Sequence, residues 1–524
     1  MKAATLIGYL AAGTWACAQQ TNQLQVTTSQ YSNARFGSNS HETTLTPRNV
    51  NARTFGKVFS LKVDGDVYAQ PLYLSALEIP GKGKHNILFI ATEHDSVYAF
   101  DVDKAGTPLW HVSFLSPQNG ISTVAAGDVQ CPFINPEVGI TSTPVIDETA
   151  GTLYLLARTK EEKEPGLYVQ KLHALDVRTG KERPGSPVAI KGSVQGGGAQ
   201  QKKISFDPRA ENPRAALLLT RGTVYLTWAS SCDVGDYHGW VIAYDAQTLR
   251  QRAAFNTSPD ADQSGIWQSD TGPAADDSGN IFVVTGNGTF DATNGRDFGD
   301  TILKLALDQN KISVRGYFTP HNEAVLNKND DDLGAGGPIF LPDQKGPHPH
   351  LVLIGGKDGN LFVIDRDHMG GYHRESDDVV ETVKLQGKLH AAPAYWNQHV
   401  YVFGDDDVIH ELAVHDGKLA PAHQGSGRPV NPGATPSVSA NGDHDGIVWT
   451  VSTRTWEAFQ ERIAVLHAYD AVDVSHELYN SGQNSDRDRA GISVRFVIAT
   501  VVNGRVYIGA RNEVDVYGLL KTTR

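Results

Sequence analysis

The chain has 524 residues, of which 40% are hydrophobic and 20% charged, and its formal net charge is −13. An acidic chain with no lysine-rich or arginine-rich run lacks the basic surface that nucleic acid requires, so that class of partner is excluded. An anionic membrane surface is disfavoured for the same reason. After the amino-terminal segment, no stretch has the roughly 18 unbroken apolar residues that span a bilayer.

The first residues have the pattern of a secretory signal peptide. Lys2 is positive, residues 3–12 are apolar, and Ala16-Cys17-Ala18 fits a small-x-small cleavage site. A lipoprotein signal anchored through Cys17 is the alternative, which the bulky Trp15 disfavours. The pattern predicts a periplasmic or secreted protein.

Two cysteines, Cys131 and Cys232, remain after such a cleavage. In an oxidising compartment a lone pair of cysteines usually forms a disulfide. Two separate buried thiols are the alternative. The chain has no CxxC or HxxxH spacing, so a zinc site is not expected.

A short phrase of alternating residues closed by Asp recurs along the chain. Its copies lie at 97–101, 172–176, 241–245, 361–365 and 466–470. Recurrence at roughly 60 residues, or twice that, is typical of radial arrays whose repeats share one core. We expect each Asp to bind the backbone of the following turn rather than to form a site.

Each repeat fits a blade of four short strands. In six places the innermost strand starts with Pro after a small or polar residue, where Pro breaks no ladder bond. These places are 70–73, 143–146, 272–275, 337–340, 392–395 and 435–438, and two candidates without Pro lie at 215–219 and 496–502. We therefore predict an all-β, eight-bladed β-propeller. Seven blades is the runner-up, because the third strands at 302–307 and 409–414 are weak.

The two ends of the chain predict how the ring closes. The last blade ends with the strand 513–517 and lacks a fourth strand, whereas 57–61 precedes the first blade. Pairing the two removes an exposed edge. The predicted organisation is a signal peptide over 1–18, an N-terminal extension over 19–53 and a single propeller domain over 54–524.

Five further phrases, at 67–73, 91–101, 139–147, 265–269 and 285–291, extend over much of the chain. They resemble the exported bacterial propellers of the quinoprotein-repeat type. That group includes alcohol dehydrogenases that bind pyrroloquinoline quinone with calcium on the propeller axis, so the resemblance implies these two cofactors. The chain departs from those enzymes in lacking two adjacent cysteines. Their calcium-binding carboxylates and catalytic aspartate also have no clear counterpart here.

Loops at one face of a propeller gather polar side chains around its axis. Imidazole titrates near neutrality, so the candidate general bases are His94, His238 and His390. The candidate cofactor-binding residues are Arg158, Trp267, Lys357, Arg454 and Arg511. The cations would attract an anionic ligand and Trp267 would stack on its ring. Structural histidines, cations paired with acidic neighbours, and plain packing of Trp267 are the alternatives. No metal ligands are assigned.

Three functions follow from these patterns and from the resemblance, which alone implies the first. The first is a quinone-dependent dehydrogenase that oxidises an alcohol or sugar at the central funnel. The second is a lyase or hydrolase acting on acidic polysaccharide. The third is a propeller without chemistry that binds a polymer or an envelope partner. For the enzymes, we expect a small-molecule or carbohydrate ligand that is anionic.

Overall fold

The computed structural model describes residues 24–163, 167–196, 203–269, 271–291, 295–453 and 460–521. The predicted signal peptide lies outside these ranges. Strands dominate the described residues, and their two α-helices, Glu323–Asn329 and Ser485–Asp488, are short. Two 3₁₀ turns cover Ser29–Tyr31 and Pro117–Asn119. None of the helices in this part of the chain is long and apolar enough to cross a membrane.

The first half of the described chain forms four antiparallel sheets, numbered here in chain order with the innermost strand first. Sheet 1 contains Leu72–Ile79, Gly83–Ala91, Ser96–Asp101 and Trp110–Ser113. Sheet 2 contains Val145–Asp147, Thr152–Glu161, Tyr168–Asp176 and Val188–Ala189, extended by Ile121–Ala125 and Glu137–Val138. Sheet 3 contains Leu218–Thr220, Thr223–Ser230, Trp240–Asp245 and Gln251–Asn256, with Glu211–Asn212 beside its second strand. Sheet 4 contains Ala274–Ala275, Ile281–Val284, Ile302–Asp308 and Lys311–Phe318.

Four more sheets follow in the second half of the described chain. Sheet 5 contains Ile339–Phe340, Leu351–Gly355, Asn360–Asp365 and Glu381–Lys384. Sheet 6 contains Ala394–Trp396, His399–Phe403, Ile409–His415 and Lys418–Gln424. Sheet 7 contains Ser437–Asn441, His444–Ser452, Val465–Asp470 and Asp473–Asn480. Sheet 8 contains Thr500–Val502, Arg505–Leu519 and Phe55–Asp66, and a separate ribbon joins Ser193–Gln195 to Lys203–Ser205.

The recurring phrase forms the third strand of five sheets, and its final Asp has the same role in each. The carboxylate of Asp101 accepts a hydrogen bond from the N–H of Asp103 at 3.0 Å. Equivalent bonds join Asp176 to Arg178 N, Asp245 to Thr248 N, Asp365 to Asp367 N and Asp470 to Val472 N. The predicted turn-binding role of this Asp is confirmed.

The inner strands and the segments before them contact one another in a ring. Hydrogen bonds link neighbouring sheets as follows: Gln70 N to Thr143 Oγ1, Leu217 N to Thr143 O, Ala216 N to Thr271 O, Ala392 N to Thr435 Oγ1, Ser437 Oγ to Ala499 O, and Thr500 Oγ1 to Pro71 O. Between sheets 5 and 6 the backbone packs so closely that a Cβ at Gly336 would lie 2.9 Å from the carbonyl carbon of Ala391, and between sheets 4 and 5 a Cβ at Gly337 would collide with Thr271 Oγ1. Apolar residues fill the space between adjacent sheets. The predicted all-β propeller class is confirmed.

An N-terminal strand closes sheet 8. Phe55–Asp66 pairs antiparallel with Arg505–Leu519, from Phe55 opposite Leu519 to Asp66 opposite Arg511. The predicted strand 513–517 is not a separate strand but the end of one continuous strand, Arg505–Leu519, which is the second of the sheet. The N-terminal strand is therefore the third of the sheet and not the fourth. Phe55 is fully buried and packs edge-on to Tyr479, with 5.0 Å between ring centroids.

The residues before this strand, 24–41, cross the axis and are called here the axial segment. It contacts the inner strand of every sheet in turn. The contacts are Gln25 opposite Leu74, Thr27 O with Ile146 N, Asn33 Nδ2 with Leu219 O, Asn33 O with Ala275 N, Ala34 O with Phe340 N, Phe36 O with Tyr395 N, Gly37 O with Val438 N, and Asn39 Nδ2 with Val501 O. Part of the predicted N-terminal extension is thus a structural element of the propeller.

Candidate functional site

A cavity of about 550 Å³ lies on the axis, lined by residues that precede the inner strands and by loops after the second strands. The axial segment lies against the inner strands themselves, so cavity and segment occupy different levels of the axis. A cavity of this size is large enough for a cofactor or a drug-sized ligand. It is the candidate functional site.

One wall of the cavity carries a disulfide. Cys131, in the loop entering sheet 2, is bonded to Cys232 in the loop after the second strand of sheet 3, with 5.4 Å between their Cα atoms. The predicted disulfide is confirmed. Cys131 packs in a small apolar cluster with Val124, Ile134 and Val138. The bridge therefore holds two long loops together beside the cavity.

Trp267 lines the cavity from the loop before sheet 4 and is half-buried. The close packing of Gly286 against it fixes this position, because a Cβ at Gly286 would lie 2.9 Å from Trp267 Cδ1. A partly accessible indole offers a flat apolar face to a ring-shaped ligand. Trp267 thus lies on the cavity wall, and its stacking role stays a prediction.

Lys357 also lines the cavity, where it pairs with two carboxylates. Its Nζ lies 2.5 Å from Asp332 Oδ2 and 3.3 Å from Asp330 Oδ1. Burial alone would lower the pKa of Lys357, but these two carboxylates outweigh burial and raise it above its usual value. Lys357 is therefore a charged group with acidic partners inside the cavity.

His390 is the third predicted residue on the cavity wall. Its Nδ1 lies 2.8 Å from Asp405 Oδ2. Asp405 Oδ1 accepts a hydrogen bond from the N–H of Gly433 at 2.8 Å. A carboxylate fixed by the backbone thus stands beside the imidazole, and a histidine with an acidic neighbour can act as an acid–base group.

The other predicted residues lie elsewhere. His94 bonds Glu137 at 2.7 Å, and the buried His238 bonds Ser258 at 3.1 Å. Arg158 is fully buried, and burial lowers the pKa of its guanidinium to about 10. Its backbone N–H donates to the carboxylate of Asp95. Arg511 pairs with Asp66 at 3.2 Å and with Glu461 at 2.6 Å. Arg454 lies outside the described residues.

Two arginines at the cavity lie over aromatic rings. The guanidinium of Arg214 is 5.3 Å from the ring centroid of Tyr68 and 5.0 Å from that of Phe496. Arg495 lies 4.6 Å from the ring of Phe133, and it donates a hydrogen bond to the carbonyl of Phe133. These contacts position two cations on the cavity wall.

Arg214 was not among the predicted binding residues, although its position follows a rule. Tyr68, Arg214, His390 and Phe496 each stand four residues before the inner strand of their sheet, which start at Leu72, Leu218, Ala394 and Thr500. Counting back from the inner strands, rather than forward from the second strands, would have found it.

Within the described ranges, no group of three or more His, Cys, Asp or Glu side chains could hold a metal ion. Two acids on the cavity wall, Asp330 and Asp332, pair with Lys357. Two others, Asp233 and Asp406, accept hydrogen bonds from neutral side chains. Asp331 pairs with Lys388 at 2.9 Å, beside the Lys357 pairs. Ion pairs between side chains thus account for the charges on the sheet 5 side of the cavity.

Comparison by sequence identifies no relative: no protein-family model matches the chain, and no curated protein matches it. Comparison by structure does. The quinohemoprotein alcohol dehydrogenase ADHIIG of Pseudomonas putida HK5 superposes with a TM-score of 0.62 at 14% identity, covering 95% of this chain and 81% of that one. The fold is that of the quinoprotein propellers.

Two further solved structures agree with this fold. The quinohemoprotein alcohol dehydrogenase of Comamonas testosteroni has a TM-score of 0.58 at 14% identity, covering 94% of this chain and 80% of that one. BamB of Moraxella catarrhalis has a TM-score of 0.53 at 13% identity, covering 88% and 99%. At such identities the likeness establishes the fold alone.

Proposed function

We propose that the protein is an exported quinoprotein-type oxidoreductase that oxidises an alcohol or a sugar in the axial cavity. The observation that carries the proposal is the set of residues lining that cavity, where Trp267, Lys357 and His390 face one space of about 550 Å³. The signal-like sequence at 1–18 supports a periplasmic or secreted location. The fold of two alcohol dehydrogenases supports the reaction class.

The cavity suits pyrroloquinoline quinone as a flat, carboxylated ring. Trp267 offers a face for stacking, and Arg214 supplies positive charge toward carboxylates. When bound, the quinone would accept the electrons taken from the substrate. His390, held by Asp405, would take the proton of a substrate hydroxyl.

Calcium fits the cavity poorly. The carboxylate of Asp332 already accepts hydrogen bonds from Lys357 and from the N–H of Asn287, and that of Asp405 meets His390 and the N–H of Gly433. Calcium prefers six to eight oxygen ligands. We therefore assign no step to a metal ion.

Acidic carbohydrate is a second candidate ligand. Phe133, 44% exposed at the cavity, stacks with Arg495, so an apolar face and a cation stand side by side. That pairing suits a uronic acid ring, which has an apolar face and a carboxylate. A lyase, a hydrolase or a binding protein would each use it.

Calorimetric titration with pyrroloquinoline quinone tests the first proposal, run with and without calcium. We expect saturable 1:1 binding that weakens by about tenfold, or about 1.4 kcal/mol, in Trp267→Ala. Trp110→Phe is the matched control, since Trp110 lies on the outer strand of sheet 1 and its affinity effect should be nil. Calcium should leave the affinity unchanged.

Absence of quinone binding to the wild-type protein would overturn the oxidoreductase. The same preparation would then be titrated with oligoglucuronate. Binding that Phe133→Ala and Arg495→Met both weaken would establish the second candidate. With quinone bound, dye-coupled alcohol oxidation should fall at least tenfold in His390→Asn while quinone affinity stays the same.

A further inference from the structure

A second, much smaller cavity lies on the axis and shares Tyr68, Arg214 and Phe496 with the main one. Its volume is about 10 Å³, and Gln70 and Thr271 are among its lining residues. That volume corresponds to one water-sized species. This small cavity on the axis is called here the axial pocket.

The axial pocket has buried side-chain donors with no partner in the described part of the chain. Gln70 is 3% exposed, and its Oε1 accepts a hydrogen bond from the N–H of Gln30 at 2.9 Å. That bond fixes the orientation of the amide, and Gln70 Nε2 is left without an acceptor. Thr271 Oγ1, 1% exposed, is likewise unpartnered. An unsatisfied buried donor costs about 1–3 kcal/mol, which a bound acceptor would remove.

A buried positive charge lies beside the same pocket. Arg35 of the axial segment is fully buried, and its guanidinium donates only to neutral oxygens: Thr28 Oγ1, Ser29 O, Pro273 O and Leu217 O. Among the described residues no carboxylate lies within ion-pair distance of it. Leu217 follows Ala216, which lines the pocket. A buried charge without a counter-charge is strongly unfavourable.

The other charged groups at this level do not neutralise Arg35. Arg214 lines the pocket from the side of the main cavity. Glu93 lies behind Thr141, whose Oγ1 donates to Glu93 Oε2 at 3.0 Å, and its carboxylate interacts electrostatically with Arg214. Asp66 and Arg495 also act on Tyr68 at the pocket, and Asp66 pairs with Arg511 at 3.2 Å. With Asp66 paired in this way, Glu93 faces three guanidinium groups, and the pocket keeps a positive surplus.

We propose that the axial pocket binds a single monatomic anion of the chloride class. Gln70 Nε2 and Thr271 Oγ1 donate to it, and it supplies the counter-charge for Arg35. Such a site ties the axial segment to the inner segments of sheets 1 and 4 by one shared ion. This anion site is separate from the ligand site of the main cavity. The proposal of an anion and the proposal of an oxidoreductase can therefore be refuted independently.

Bromide provides a direct test in the wild-type protein. Crystals grown or soaked in sodium bromide should show one anomalous peak on the axis, within 3.5 Å of Gln70 Nε2 and Thr271 Oγ1. An axial peak that is absent, or density there that refines as water without anomalous signal, would overturn the proposal.

Stability in different salts provides the second test. At constant ionic strength, replacing gluconate by chloride should raise the melting temperature by about 2 °C when chloride reaches about a hundred times its dissociation constant. Gln70→Leu should abolish this shift. Gln170→Leu is the matched control, because Gln170 is equally buried but fully hydrogen-bonded away from the axis, so the variant should keep the shift.

Equal stabilisation by gluconate and chloride, or a chloride shift that persists in Gln70→Leu, would refute the site. If Gln70→Leu does not fold, the bromide experiment on the wild-type protein decides alone.

Discussion

Removal of the disulfide should destabilise the propeller by several kcal/mol. The bridge joins Cys131 to Cys232 across a sequence separation of 101. In the chain-entropy model, a closed loop of about that length restricts the unfolded chain by about 4–5 kcal/mol at 25 °C. We therefore expect the Cys131→Ala/Cys232→Ala variant to lose up to that amount of its free energy of unfolding.

The position of the bridge adds a local effect to the entropic one. Cys131 belongs to an apolar cluster with Val129 and Val138, and both cysteines line the cavity. Alanine removes only the two sulfur atoms, so the packing loss should stay small beside the entropic term. The loss of stability in this variant should therefore report mainly the restraint of the unfolded chain by the disulfide, and only slightly the packing of the cavity wall.

Urea unfolding in non-reducing buffer, followed by tryptophan fluorescence, measures the change. The double variant should unfold at lower urea, and its slope should rise because its unfolded chain is less restricted. A reductant should shift the wild-type midpoint toward that of the variant and leave the variant unchanged. Coincident curves for the oxidised wild type and the variant would refute the reasoning.

Three other changes test the interior. Burial raises the pKa of Glu93 from 4.5 to about 7, so the folded state holds this proton more tightly than the unfolded state does. The protonated carboxyl therefore stabilises the fold at low pH, and that stabilisation is lost as the pH rises from 4.5 to 7. Between pH 4.5 and pH 8, the free energy of unfolding from urea titrations should fall by about 3 kcal/mol more in the wild type than in Glu93→Gln. The same difference between the two proteins at both pH values would contradict this. Phe55→Ala should cost about 3–5 kcal/mol in chemical unfolding, whereas the exposed Phe133→Ala should cost under about 1 kcal/mol; similar losses would argue against closure by the N-terminal strand. Lys357→Met should lower the melting temperature of the protein because it leaves the buried Asp332 without its cation. Lys357→Arg keeps the charge and should largely retain the wild-type melting temperature. Equal losses in the two variants would count against the ion pair.

The fold was predictable because its signals are local and repeated. In each copy of the repeat the third strand ends in Asp, and this Asp binds the backbone of the turn two or three residues later. Each copy therefore marks a strand and its turn without help from the rest of the chain. The closing strand was predictable because unpaired edges are avoided. Its place as third strand was not, because nothing in the sequence marks Arg505–Leu519 as one unbroken strand.

The site was less predictable because its contacts join distant residues. Trp267, Lys357 and His390 lie at the cavity, but the partners of Lys357 could not be chosen among many nearby acids. Arg495 meets Phe133 across a sequence separation of 362. Contacts of that kind depend on how the sheets are arranged around the ring, which one repeat does not specify.

The axial segment sets the order in which the molecule can be completed. Residues 24–41 precede every sheet in the chain, yet they bind the inner strand of all of them, including Val501 near the other end. Most of their partners are made long after them, so these contacts are of very long range and slow to form. Until the last strands are available, the segment has no complete binding surface. In an arrested or truncated chain the axial segment therefore lacks most of its partners. A protease could then cut residues 24–41, which the complete propeller buries against its inner strands.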